Sequence, residues 1–126
     1  MIEILEQREF PVGNLYALAS ERSVGKTVRF RGKSISVSDL AEFDFSKTAI
    51  ALFSAGGGVS EEHAPRAVAA GCVVIDNTSH FRREPTIPLV VPEVNSEAIA
   101  GYRSTGIIAN PNCSTIQMLV ALKPIY

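Results

Sequence analysis

The stretch Thr48 to Ser79, TAIALFSAGGGVSEEHAPRAVAAGCVVIDNTS, decides the fold. Two short apolar runs, AIALFSAGGG and CVVIDNTS, each end in small or polar residues and flank a stretch expected to be helical over Glu61 to Ala70. Downstream, GIIANPN repeats the pattern between helical stretches at Ser96 to Tyr102 and Ser114 to Leu122. Strands that are apolar on both faces and alternate with helices predict a parallel sheet covered on both sides. The class is α/β, doubly wound. Upstream, Ile2, Ile4 and Leu5 share a face of a helix over the first nine residues that stops before Pro11 and Gly13. Leu15 to Ala19 reads as a strand, and Thr27 to Val37 as a hairpin turning at Arg31 and Gly32 on a sheet edge. Pro85 to Pro92 encloses the apolar LVV and reads as an extended crossing segment.

Composition narrows the function classes. The 126 residues fit one domain, and 46% of them are hydrophobic, enough for a packed core. The formal net charge is −1 with scattered basic residues, so neither nucleic acid nor an anionic membrane surface is an expected partner. A small molecule is. The longest apolar run, Ala67 to Ile75, is about half of the roughly 18 residues that cross a bilayer. MIEILEQREF lacks the basic start of a secretory signal, so a cytoplasmic chain is expected. Cys72 and Cys113 are far apart and are expected as free thiols. His63 and His80 have no partners at zinc-site spacing, so no metal is expected.

In open parallel sheets, ligands gather where strand carboxyl ends lead into helix N-termini. Ser20 to Ser23, Ser54 to Gly57, Asp76 to Arg82 and Asn110 to Ser114 all fall at such ends. Cys113, in NPNCSTIQ, is the candidate nucleophile. A lone cysteine opening an apolar helix is commonly a small core residue, but here Pro111 ends the strand and Asn112 can cap the helix. Cys113 then sits in a first turn, where open backbone N–H groups and the helix dipole favour a thiolate. That dipole is worth at most about 1 kcal/mol, so a nucleophile there also needs a general base. Neither His63 nor His80 is an obvious one, and the base is expected outside this chain. The same N–H groups, with the Asn112 amide as a second donor, would stabilise an oxyanion, which suits acyl transfer to sulfur.

The other clusters are less pointed. SERS, Ser20 to Ser23, follows a strand where ribose specificity is set in dinucleotide-binding folds; Glu21 would favour the 2′-hydroxyl of NAD, and Arg22 with the serines the 2′-phosphate of NADP. GKT at Gly25 to Thr27 is not a phosphate loop, because the first glycine of that motif would have to stand at Ser20. Gly56 to Gly58 could let backbone approach a ligand or form an ordinary flexible turn. Of Arg82 and Arg83, at most one is expected to point into a site, where it could hold a phosphate by two parallel bonds.

Taken together, LASERSVGK, ALFSAGG, GCVVIDNTSHFR, PLVVPEVN and IIANPNCSTIQMLVALKP resemble the bacterial aspartate-semialdehyde dehydrogenase family, in the same order and over nearly the whole chain. The resemblance implies an incomplete Rossmann-like NADP-binding domain over residues 1–126. It also implies reversible conversion of aspartate semialdehyde, phosphate and NADP to aspartyl 4-phosphate and NADPH, toward lysine, methionine, threonine and isoleucine. By resemblance, Cys113 is the acyl-accepting nucleophile with Asn112 beside it, and Arg82 binds the substrate phosphate. Arg22 with Ser23 matches the contacts to the cofactor 2′-phosphate, and Ser20 is a further cofactor-binding residue. Ser54, Ala55 and Gly56 border the cofactor, and Asn77 lies near its nicotinamide side. The full-length protein is expected to be a homodimer or homotetramer.

Competing readings are a related acyl-phosphate reductase of the N-acetyl-glutamyl-phosphate reductase type, a non-catalytic nucleotide-binding or interaction module with Cys113 as a core residue, and a degenerate paralogue or truncated product without activity. The family begins with a strand and a glycine-rich turn for the cofactor pyrophosphate, and continues into a second domain that supplies the base and the carboxylate ligand. Neither part matches anything in this sequence. The 126-residue chain alone is therefore expected to be aggregation-prone and to show no turnover, an expectation that detectable phosphate-dependent reduction of NADP by the pure chain would overturn.

Overall fold

The computed structural model describes residues Met1–Tyr126, which divide into two compact units, Met1–Phe43 and Asp44–Tyr126. The first unit opens with helix α1 (Ile2–Gln7), followed by strands β1 (Ala17–Ala19), β2 (Thr27–Phe30) and β3 (Lys33–Asp39). The sheet order is β1-β3-β2, with β1 parallel and β2 antiparallel to β3. The hairpin turns at Arg31 and Gly32, both with positive φ (48° and 76°), as the twist of a two-residue hairpin requires. Arg31 adopts that backbone with side-chain support: its guanidinium donates to the carbonyls of Phe10 and Val12 and lies 4.9 Å from the Phe30 ring centroid. Of the two hairpin strands only β2 lies at an edge; β3 takes the middle position because it also pairs with β1, which starts at Ala17 rather than Leu15.

The second unit contains a parallel sheet, β4-β5-β6, formed by Ile50–Phe53, Val73–Asp76 and Ile107–Ala109. Leu89 bridges Ala109 in parallel on the far side of β6, so the expected crossing segment runs extended only from Pro88 to Val91; Pro85 to Ile87 turn instead, with Ile87 N–H donating to the Glu84 carbonyl at 3.1 Å, and Pro92 opens α3 (Pro92–Asn95). Pairing sets Ala51, Val74 and Ile107 in one row and Phe53, Asp76 and Ala109 in another on the same face. Helix α2 (Gly57–Ala69) covers that face with Ser60, His63, Ala64 and Ala67, the i, i+3, i+4, i+7 stripe of an amphipathic helix. Small side chains along the stripe bring the helix close, and Val74 is fully buried beneath it, which stabilises by about 1.5–3 kcal/mol.

The α/β class with a parallel sheet is as read from the sequence, and several details differ. α2 begins at Gly57, four residues before the expected start, because Gly56 at φ 108° serves as its N-cap and the next two glycines enter the helix. The stretch from Ser96 is a 3-10 helix to Gly101 and only then α4 (Tyr102–Thr105), closed by Gly106 in the left-handed region. The sheet is not covered equally on both sides: Ile50 and Leu52, on the face away from α2, are 48% and 41% exposed at the edge strand β4. Helix α5 (Cys113–Leu122) runs on from β6 with Met118, Val120 and Leu122 exposed.

Gly106 carries the tightest backbone approach. A Cβ there would lie 2.7 Å from Val68 Cγ1, on top of a φ of +74°. Gly106→Ala is expected to cost about 2–4 kcal/mol, from left-handed strain plus overpacking, read as a lowered denaturant midpoint. Gly25→Ala, equally left-handed at +87° but facing open space, should cost about 1 kcal/mol.

Candidate active site

The three strands of the second unit end level, and their last peptides are tied together. Asn77 N–H donates to the Phe53 carbonyl and Asn110 N–H to the Asp76 carbonyl, both at 2.8 Å. The residues just beyond the strand ends therefore form a row: Ser54, Asn77, Asn110. Asn110 Nδ2 donates to Asn77 Oδ1 at 2.6 Å, and Asn77 Nδ2 to Ser54 Oγ at 3.5 Å.

Arg82 is fixed to this row by backbone. Its Nε donates to the Asn110 carbonyl at 2.9 Å and its Nη2 to the Asn77 carbonyl at 3.1 Å. These bonds occupy one edge of the guanidinium. Nη1 makes no bond, so the opposite fork is available for a two-pronged acceptor such as phosphate or carboxylate. Arg82 is half-buried and Arg83 exposed, so of the two arginines only Arg82 belongs to the strand-end row.

Cys113 is the first residue of α5. Asn112, at the N-cap with extended backbone, accepts from Ser114 N–H at 2.9 Å through Oδ1, which satisfies one of the open donors of the first turn. The Cys113 thiol is exposed, 4.0 Å from the same Oδ1. Cys72, in contrast, is 2% exposed and lies 3.2 Å from Thr48 Oγ1. His63 is buried on α2, with Nδ1 accepting from Arg66 at 2.6 Å, and His80 packs edge-on against Phe81. No group of three or more His, Cys, Asp or Glu side chains is gathered as a metal ion requires.

Beneath the row lies a polar cluster that sequence reasoning did not single out. Asp76 is completely buried; its Oδ1 accepts from Ser60 Oγ at 2.8 Å and Thr78 N–H at 3.0 Å, and its Oδ2 from Thr78 Oγ1 at 2.8 Å. Asn110 falls in the strand-end cluster Asn110 to Ser114 but has no role of its own in the sequence reading. Its signal lay in register: Asn77 and Asn110 each stand one place beyond a parallel strand, so aligned strand ends bring the two amides together.

In the first unit, Ser20 to Ser23 follow β1 as a 3-10 turn over Glu21–Ser23, with Ser23 N–H donating to the Ser20 carbonyl at 2.9 Å. Glu21 and Arg22 are both exposed, and the Arg22 guanidinium has no hydrogen bond or ion pair.

A twisted parallel sheet with polar residues gathered at its carboxyl edge is the architecture of Rossmann-like nucleotide-binding domains. The sequence model of the family described as "Semialdehyde dehydrogenase, NAD binding domain" matches residues 1–102, and the chain belongs to this family. It is 68% identical over 126 residues to aspartate-semialdehyde dehydrogenase 2 of Vibrio cholerae serotype O1, covering all of this chain and 37% of that protein. The crystal structure of aspartate semialdehyde dehydrogenase II complexed with ASA, from Vibrio cholerae, superposes with a TM-score of 0.98 at 67% identity, covering 99% of this chain and 41% of that one. Aspartate semialdehyde dehydrogenase with NADP from Candida albicans superposes with a TM-score of 0.74 at 27% identity, covering 98% and 42%. The chain thus spans somewhat over a third of the length of the curated relative.

The Asn112 cap can be separated from anything else that residue does. Asn112→Ala should destabilise by about 1 kcal/mol through loss of the bond to Ser114 N–H, and Asn112→Asp should restore that stability in a denaturant titration.

Proposed function

We propose that this chain is the nucleotide-binding and nucleophile-bearing part of an NADP-dependent, phosphorylating aspartate-semialdehyde dehydrogenase. The observation that carries the reading is the exposed Cys113 thiol at the capped first turn of α5, on the strand-end edge that also carries the anchored Arg82 with a free fork. The relatives that are more than half identical to this chain over its own length bear that enzyme's name, which supports the substrate class.

In the biosynthetic direction, Cys113 Sγ attacks the acyl carbon of aspartyl 4-phosphate, the C–S bond forms, and the C–O bond to phosphate breaks. Arg82, through Nη1 and its second Nη2 hydrogen, holds the phosphate before and after that step. Backbone N–H groups of the α5 first turn and the Asn112 amide face the oxyanion formed on the carbonyl. Bound NADPH would supply the hydride that converts the thioester to aldehyde with return of the thiolate.

The residues present fit the cofactor: Arg22, free and exposed on the turn after β1, would meet a 2′-phosphate together with Ser20 and Ser23. Ser54, Ala55 and Gly56 would border the cofactor at the end of β4, and Asn77 its nicotinamide side. The domain reading is a partial NADP-binding domain over residues 1–126, inactive alone, in a cytoplasmic homodimer or homotetramer. No helix is long and apolar enough to cross a membrane.

The test is thiol labelling with turnover. In the full-length protein, iodoacetamide should modify Cys113 far faster than Cys72, aspartyl phosphate should protect it, and Cys113→Ser should lose at least about 10^3-fold in kcat. Equal labelling of the two thiols together with an active Cys113→Ser variant would remove the nucleophile role. Arg22→Ala should raise the KM for NADP with little change for NAD, checked by initial rates with both cofactors.

A further inference from the structure

The buried carboxylate of Asp76 has no cation among its partners, and the thioester chemistry does not use it. Its three contacts all come from donors, Ser60 Oγ, Thr78 N–H and Thr78 Oγ1. One of these contacts is special. Thr78 N–H and the Asn77 carbonyl belong to the same planar peptide unit and point in opposite directions. The bond from Thr78 N–H to Asp76 Oδ1 therefore fixes the direction of the Asn77 carbonyl, and that carbonyl accepts from Arg82 Nη2 at 3.1 Å. Ser60, at the end of the first turn of α2, donates to the same Oδ1 at 2.8 Å. His80 N–H, 3.3 Å from Thr78 Oγ1, secures the chain where it turns toward Arg82.

We propose that Asp76 is a positioning residue: through the Asn77–Thr78 peptide it aims the free fork of Arg82 and so sets the affinity of the site for phosphate. This rests on the reading of Arg82 as the ligand of the substrate phosphate. The chain of contacts runs from a buried acceptor to a peptide plane to a guanidinium, and every link is a hydrogen bond of 3.1 Å or less. Asparagine at position 76 could keep the arrangement, with its Oδ1 accepting from Ser60 and Thr78 N–H while its amide donates to the Thr78 hydroxyl. Alanine could not.

The experiment is made in the full-length protein. Asp76→Ala should raise the KM for phosphate about tenfold, the scale of one hydrogen bond to a charged group, with kcat and the KM for NADP within about twofold. Asp76→Asn should restore the phosphate KM to within about threefold. Arg82→Lys should weaken phosphate binding in the same direction, and Asp76→Ala should add nothing to it in the double variant, because both act through one contact. If Asp76→Ala does not fold, Ser60→Ala with Thr78→Val, which removes two of the three donors, takes its place. An unchanged phosphate KM, a uniform loss in all parameters, or multiplying effects in the double variant would overturn the proposal. A second readout needs no turnover: in 15N-arginine-labelled protein, the Arg82 Nη2–H signal, from the hydrogen donated to the Asn77 carbonyl and assigned by its absence in Arg82→Lys, should be protected from exchange and lose that protection in Asp76→Ala, while Nε–H, bonded to the Asn110 carbonyl, stays protected. Retained protection would refute the positioning role even if the dehydrogenase reading stands, whereas absence of phosphate-dependent turnover in the wild type would count against that reading alone.

Discussion

The level ending of β4, β5 and β6 is the constraint on which the candidate site depends. Parallel pairing matches Phe53 with Asp76 and Asp76 with Ala109, and the next peptides continue the ladder by one bond each, from Asn77 to Phe53 and from Asn110 to Asp76. Because side chains alternate between faces, this register puts Asp76 under α2 and hands Ser54, Asn77 and Asn110 to the strand-end edge. A slip of one residue in β6 would remove Asn110 from Asn77 and from Arg82 together. The site is thus a property of sheet register first and of individual side chains second.

Charge follows from that geometry. Arg82 is oriented by two carbonyls rather than by a carboxylate, so its positive charge is not neutralised where it is held. Asp76, whose negative charge could have cancelled it directly, acts instead on neutral donors below the edge. A guanidinium fixed by dipoles keeps its attraction for an anion, which an ion pair within the protein would reduce.

Much of this was legible in the sequence, and the failures have physical causes. The runs IALF, VVID and IIA have no turn residues and few polar ones, so their strands and the parallel class were readable. Asn112 before an apolar helix predicted a cap because a short polar side chain outside a helix can reach the open N–H groups inside it. The start of α2 was misplaced because three consecutive glycines carry no propensity signal for a helix, and here they are held by the packing of Ser60 and His63 on the sheet. The Ser96 stretch was read as one helix, although its periodicity cannot distinguish 3-10 from α over so few residues. Asp76 and Asn110 stand in two of the strand-end clusters but carry no individual role in the sequence, because their importance lies in partners distant in the chain, Ser60 and Asn77, which only the register brings near. The roles assigned to Cys113, Asn112, Arg82 and the Ser20 to Ser23 turn rest on family resemblance joined to geometry, and composition alone would not have distinguished them from ordinary loop residues.

Gly106 closes α4 and admits β6 while its Cα side faces Val68 of α2. The gap between helix and strand at this point is set by bare backbone, and this shapes how the protein can change over evolutionary time. A larger residue at 106 would be tolerated sterically only if position 68 shrank at the same time, yet that second change would relieve the collision and leave the left-handed backbone unrelieved. No single compensating substitution restores both terms. The pair is therefore asymmetric: Val68 can drift toward smaller residues while glycine stays, but glycine has no neighbouring sequence it can reach without loss.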